Sequence, residues 1–131
     1  MKKDIEIPIA KEVSVALVHE WNEEFLDKEW NAYIINHRND PIEMVLVMSK
    51  GHDADRKTST MRHAIEVVGA KSFEKIENVQ EEVLGLNNEF YVTFFADNKM
   101  YERKYHFSKN TVNAAALTTL PVINKEGIYG Q

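Results

Sequence analysis

The chain has no cysteine among its 131 residues, which excludes disulfides and thiolate metal sites. Its five glycines are scattered, so no glycine-rich phosphate loop exists. No apolar run approaches the roughly 20 residues of a membrane-spanning helix. The opening Met1-Lys2-Lys3-Asp4-Ile5-Glu6 carries two lysines but no apolar stretch behind them, unlike a secretory signal. The expectation is a cytoplasmic protein without membrane contact. Positive charge is also short, with 16 basic against 21 acidic side chains and a net charge of −5. A molecule of that sign repels nucleic acid unless its charges are strongly segregated. The histidines at 19, 37, 52, 63 and 106 show neither HxH nor HExxH spacing, and no serine stands in a GxSxG context. Nothing therefore supports nucleophilic catalysis, and no cofactor is expected.

What is present is an ordinary globular composition, 44% apolar and 28% charged. The length suits one domain spanning 1–131. The stretch from Trp30 to Gly51, WNAYIINHRNDPIEMVLVMSKG, reads as two strands around the turn formers at 36–41, a hairpin on which the rest packs. Its second half, IEMVLVM, is apolar on both faces, which suggests a strand buried on both sides. Ile5, Ile7 and Ile9 alternate with polar or small residues as a first strand, held to an edge by Pro8. Val13, Val15 and Leu17 alternate as a second. Residues 22–29 read as an acidic connection whose Phe25 and Leu26 tuck under the sheet. Trp21 and Trp30, which bracket it, read as core anchors.

Residues 51–59 are the most polar stretch and read as a mobile loop. Residues 60–68 favour a strand over a helix because of their β-branched end and the following Gly69. Residues 71–79 read as a weak edge strand, with a helical turn over 80–86. Phe90 to Phe107 gives the clearest pattern, two β-rich runs around Asp97-Asn98 that predict a type I′ hairpin. One or two helical turns are expected over 111–117, capped by Asn110 or Thr111. The apolar side chains of residues 118–131 predict an ordered, extended tail on a sheet edge, of this copy or of a second one. Together these signals predict an all-β antiparallel sandwich of immunoglobulin-like connectivity with little helix, ahead of an antiparallel α+β domain.

The segments TSTMRH (58–63), LNNEFYVTFFADNKMYE (86–102) and the central WNAYIINHRNDPIEMVLVMSKG are similar to those of a group of short uncharacterised proteins common in Bacteroidetes. The likeness covers most of the chain. Some members carry a name borrowed from the α subunit of phenylalanyl-tRNA synthetase, whose core is larger than 131 residues can hold. The resemblance implies no catalytic residues.

Two constellations carry candidate chemistry. Arg56, Lys57, Arg62 and His63 lie close in sequence, and Arg103 and Lys104 form a second basic group. Brought together beside a tyrosine they would bind a phosphate or stack a base, against the simpler reading of a charged strand face. His52, Asp53 and Asp55 offer an imidazole and two carboxylates for a divalent cation. A calcium loop needs more oxygen donors, which favours a solvated loop. The expectation is a non-enzymatic binding or interaction module, with a protein partner or a second copy of the chain. Binding of nucleic acid or a phosphate ligand through the basic patch comes next, and a metal-dependent hydrolase last.

Overall fold

The computed structural model describes residues 12–131, so the strand expected at Ile5, Ile7 and Ile9 lies outside the described residues. Among the described residues nine strands form: β1 (Val13–Asn22), β2 (Asp27–Asn36), β3 (Ile42–His52), β4 (Met61–Val68), β5 (Ser72–Val79), β6 (Asn87–Ala96), β7 (Lys99–Phe107), β8 (Thr118–Leu120) and β9 (Lys125–Tyr129). One sheet has the order β5-β2-β1-β9-β8 and the other β4-β3-β6-β7, all neighbours antiparallel. Strands 1, 2 and 5 in one layer facing strands 3, 6 and 7 in the other is the immunoglobulin-like arrangement. Here the fourth strand lies beside the third. The only helical segments among the described residues are short 3-10 turns, Glu81–Gly85 and Ala114–Ala116.

The 30–51 stretch is not a hairpin. Its two strands belong to different sheets, and residues 37–41 form the corner between them. Asn36, fully buried, holds that corner. Its amide donates to the carbonyls of Asp40 (2.9 Å) and Gly69 (3.0 Å), while its oxygen accepts from the Arg38 amide (3.0 Å). Turn formers serve a hairpin and a corner equally well, so the pattern alone does not separate them. The Asp97-Asn98 hairpin does form, with φ of 54° and 61° at the two turn residues as a type I′ turn requires. The 3-10 turn at Ala114–Ala116 is capped by Asn113, which accepts from the Ala115 amide at 3.0 Å, and not by Asn110 or Thr111.

Alternation along each strand builds the core between the sheets. Val13, Val15, Leu17, Ala32 and Ile34 meet Val45, Val47, Phe90, Val92, Phe94 and Phe107 there. Tyr105 crosses the gap, and its hydroxyl donates to the Val13 carbonyl. Burial pushes that hydroxyl up to about 12, so it stays a donor at neutral pH. At the open side of the sandwich the Glu77 carboxylate joins the layers. It accepts from the Ser49 hydroxyl at 2.9 Å and lies 2.6 Å from His63 Nε2.

The outer face of the five-stranded sheet has its own cover. Ala16, Val18, Tyr33 and Ile35 form a second apolar cluster with Leu120 and Ile123 from the β8–β9 hairpin. Beyond β9 the Gly130 amide donates to the Val15 carbonyl (2.9 Å), and Gln131 exchanges backbone hydrogen bonds with His106 on β7. The last residues thus bind both layers. Lys125 anchors the hairpin further through an ion pair with Glu20, which also accepts from Tyr33 and Asn31 at 2.7 Å each. Burial pushes the Glu20 carboxyl upward, but those donors outweigh it and hold its pKa below the ordinary value.

Candidate functional site

The outer face of the four-stranded sheet is assembled from the registers of β4, β3, β6 and β7. Val67, Glu43, Phe95 and Met100 form one row, and Ala64, Leu46, Thr93 and Glu102 the next. Arg62, Met48, Tyr91 and Lys104 form the third, and Lys50, Glu89 and His106 the last. Met44 adds to the upper rows. It has φ of 50° at a bulge where the register against β6 shifts between Glu43 and Leu46. A bulge re-aims a side chain, and Met44 stands 65% exposed.

The β3 run is therefore not buried on both sides. Val45 and Val47 face the core, whereas Leu46 is 56% exposed and Met48 and Tyr91 are more than a third exposed. With Met44, Val67, Phe95 and Met100 they put seven exposed apolar side chains on this face. Three of its members are methionines, whose unbranched thioether chains repack against differently shaped partners.

Two adjoining depressions divide this face. One, of about 380 Å³, is lined by Leu46, Met48, Ala64, Tyr91 and Thr93 with Arg62 and His63 at its border. The other, of about 320 Å³, shares Met48, Arg62 and Tyr91 and adds Lys50, Thr60, Glu89 and Lys104. The face thus grades from apolar at Met44 and Phe95 to cationic at Lys50, Arg62 and Lys104. Among the described residues no ion pair within 4.0 Å engages Lys50 or Arg62. Two carboxylates of this face are engaged. Glu102 accepts from the Tyr91 hydroxyl, and Glu89 lies 3.0 Å from His52 Nε2 and 3.8 Å from Lys104. The His52 contact first, then Lys104, holds the Glu89 carboxyl below its ordinary range despite burial.

The six residues of the candidate basic patch do not lie on one face. Arg62 and Lys104 share a row, joined by Lys50, which sequence reasoning missed. Arg103 is on the other side of β7, its guanidinium 4.5 Å from the Tyr105 ring centroid. His63 turns to Glu77. Arg56 pairs with Asp53 at 2.9 Å, and Lys57 bridges back to His52 through the backbone. The metal trio separates as well. The Asp53 carboxylate holds Arg56 and the amides of Asp55 and Arg56, and these bonds, the Arg56 side chain foremost, push it down to about 2. His52 points to Glu89 instead. Among the described residues no three histidine or carboxylate side chains stand together as a metal site.

A second apolar feature lies at the tip of the β1–β2 hairpin. The strands stay paired out to Asn22–Asp27, past the end of the core. Phe25 and Leu26 consequently do not tuck under the sheet; they are 71% and 69% exposed. Of the two expected tryptophan anchors, Trp30 is buried and stacks on His19 at 4.3 Å, while Trp21 is half exposed. The tip has a defined shape. The Asn22 side-chain oxygen accepts from the amides of Glu24 (2.8 Å) and Phe25 (3.2 Å), and Leu26 takes a left-handed φ of 51°.

No protein-family model matches the chain, and no curated protein matches it significantly.

Proposed function

We propose that this protein is a non-enzymatic interaction module that binds a protein segment of apolar and acidic character on the outer face of β4-β3-β6-β7. One observation carries the reading. The chain covers the outer face of its five-stranded sheet with Leu120 and Ile123, yet seven large apolar side chains on the other outer face stay open to water. Leaving such side chains solvated forgoes stability that burial would supply, about 25 cal/mol per Å². A partner recovers it.

The charges on the face select the partner. Lys50, Arg62 and Lys104 attract carboxylates, while Glu43, Glu89 and Glu102 interrupt the cationic surface that a long polyanion would need. A short segment with apolar side chains flanked by a few carboxylates matches this gradation better than nucleic acid does.

The test is a photo-crosslinking residue placed at Leu46 and, as a control, at the exposed Glu126 of β9. In native extract Leu46 should give discrete protein adducts and Glu126 none. Identical adduct patterns from the two positions would remove the reading.

A further inference from the structure

The chain itself carries a segment of the chemistry that this face selects. The β1–β2 hairpin presents Phe25 and Leu26 on a turn fixed by Asn22, with the half-exposed Trp21 beside them. Five carboxylates, Glu20, Glu23, Glu24, Asp27 and Glu29, surround that tip against the single Lys28. Glu20 is taken up by Lys125, and Glu29 by Asn22 and Asn31. Glu23, Glu24 and Asp27, the three at the turn, make no ion pair among the described residues. The outer face of the four-stranded sheet is the complement: an apolar depression lined by Leu46, Met48 and Tyr91, bordered by Lys50, Arg62 and Lys104. Among the described residues nothing covers Phe25 and Leu26, which are left exposed.

We infer that the hairpin tip of one copy docks on the outer face of the β4-β3-β6-β7 sheet of a second copy, Phe25 and Leu26 against Leu46, Met48 and Tyr91, with Glu23, Glu24 and Asp27 meeting Lys50, Arg62 and Lys104. The inference rests on the proposed function and names a partner for it. The two surfaces are different parts of the molecule, so the contact is heterologous. Each bound pair leaves one tip and one face unsatisfied and so continues into chains or closes into rings. The tip is small against a standard interface of about 800 Å² per partner, which makes the association weak and dependent on concentration. Its charged border also makes it sensitive to salt.

Sedimentation of the full chain tests this. The weight-average mass should rise continuously with protein concentration up to about 1 mM, the weak end of specific association, and fall back when salt is raised. Two double variants separate the halves of the contact: Phe25→Ser with Leu26→Asn at the tip, and Leu46→Thr with Met48→Thr on the face. All four positions are exposed, so both variants should keep the wild-type circular dichroism and melting temperature. Each alone should stay monomeric. Mixed in equal amounts they should form dimers and nothing larger, because the mixture holds one intact tip and one intact face per pair. A wild-type chain that stays monomeric to 1 mM, a tip variant that still polymerises, or a mixture that stays monomeric would each overturn the inference. The adducts at Leu46 report separately on the proposed function, since a monomeric chain that still crosslinks to another protein loses only the self-docking.

Discussion

Removal of residues 118–131 should leave a chain that no longer folds cooperatively at physiological temperature. The loss is not that of a loose end. β9 pairs with β1 along Ala16–Val18, and Leu120 and Ile123 cover Ala16, Val18, Tyr33 and Ile35. Burying two such side chains is worth about 1.5–3 kcal/mol each. The ion pair from Lys125 to Glu20 and the bonds of Gly130 and Gln131 to both sheets go with them. That is comparable to a domain's whole stability of about 5–15 kcal/mol. Truncation also bares the β1 edge and the apolar face behind it, so the truncated chain should bind an apolar dye and aggregate. Thermal melting followed by circular dichroism checks the first effect. An unchanged melting temperature would mean that the hairpin contributes little.

Phe90→Ala should cost about 3–5 kcal/mol, as large-to-small changes of a buried aromatic do. Phe90 is 1% exposed, packs edge-on against Phe107 at 5.8 Å, and stands in the inward row with Ser49 and Tyr105. The cavity left between two rigid sheets cannot collapse without moving a layer. The melting temperature should fall by about 10–20 °C for a domain of this size. Leu46→Thr, across the same β3–β6 pair but facing outward, should change stability by no more than about 0.5 kcal/mol. If both substitutions cost the same, the assignment of inner and outer rows is wrong.

Strand existence was largely legible, because period-2 alternation and the Asp97-Asn98 turn are local signals. Sheet membership was not. The turn formers between Asn36 and Ile42 fit a hairpin, and long-range bonds, of Asn36 to Val68 and Gly69 and of the Lys71 amide to the Arg38 carbonyl, hold them as a corner. The β3 run misled for a related reason. IEMVLVM looks buried on both sides, and a strand with one face open to a partner has the same composition as one covered by its own chain. The signal that was present is the methionines. Met44, Met48 and Met100 fall on outer positions beside Tyr91 and Phe95, where a solvated strand face would carry polar residues. The candidate basic residues divide between faces because neighbours in sequence alternate across a strand. Arg103 and Lys104 cannot share a face, and Lys50, which does share it with Lys104, is 54 positions away by their numbers. The hairpin tip was misread because nothing local shows that the β1–β2 ladder outruns the core.

The same methionines supply the most direct test that the outer face of the four-stranded sheet is the binding surface. In protein labelled at the methionine methyl carbon, the signals of Met44, Met48 and Met100 report on that face. Met61, 48% exposed but opposite Ser49 in the register of the other side of the sheet, serves as the internal reference. Spectra are compared between dilute buffer, where self-docking is absent, and native extract at the same protein concentration. The account predicts selective broadening or shifts at Met44, Met48 and Met100 in extract, with Met61 still sharp. Changes confined to Met61, or equal changes at all four, would contradict it.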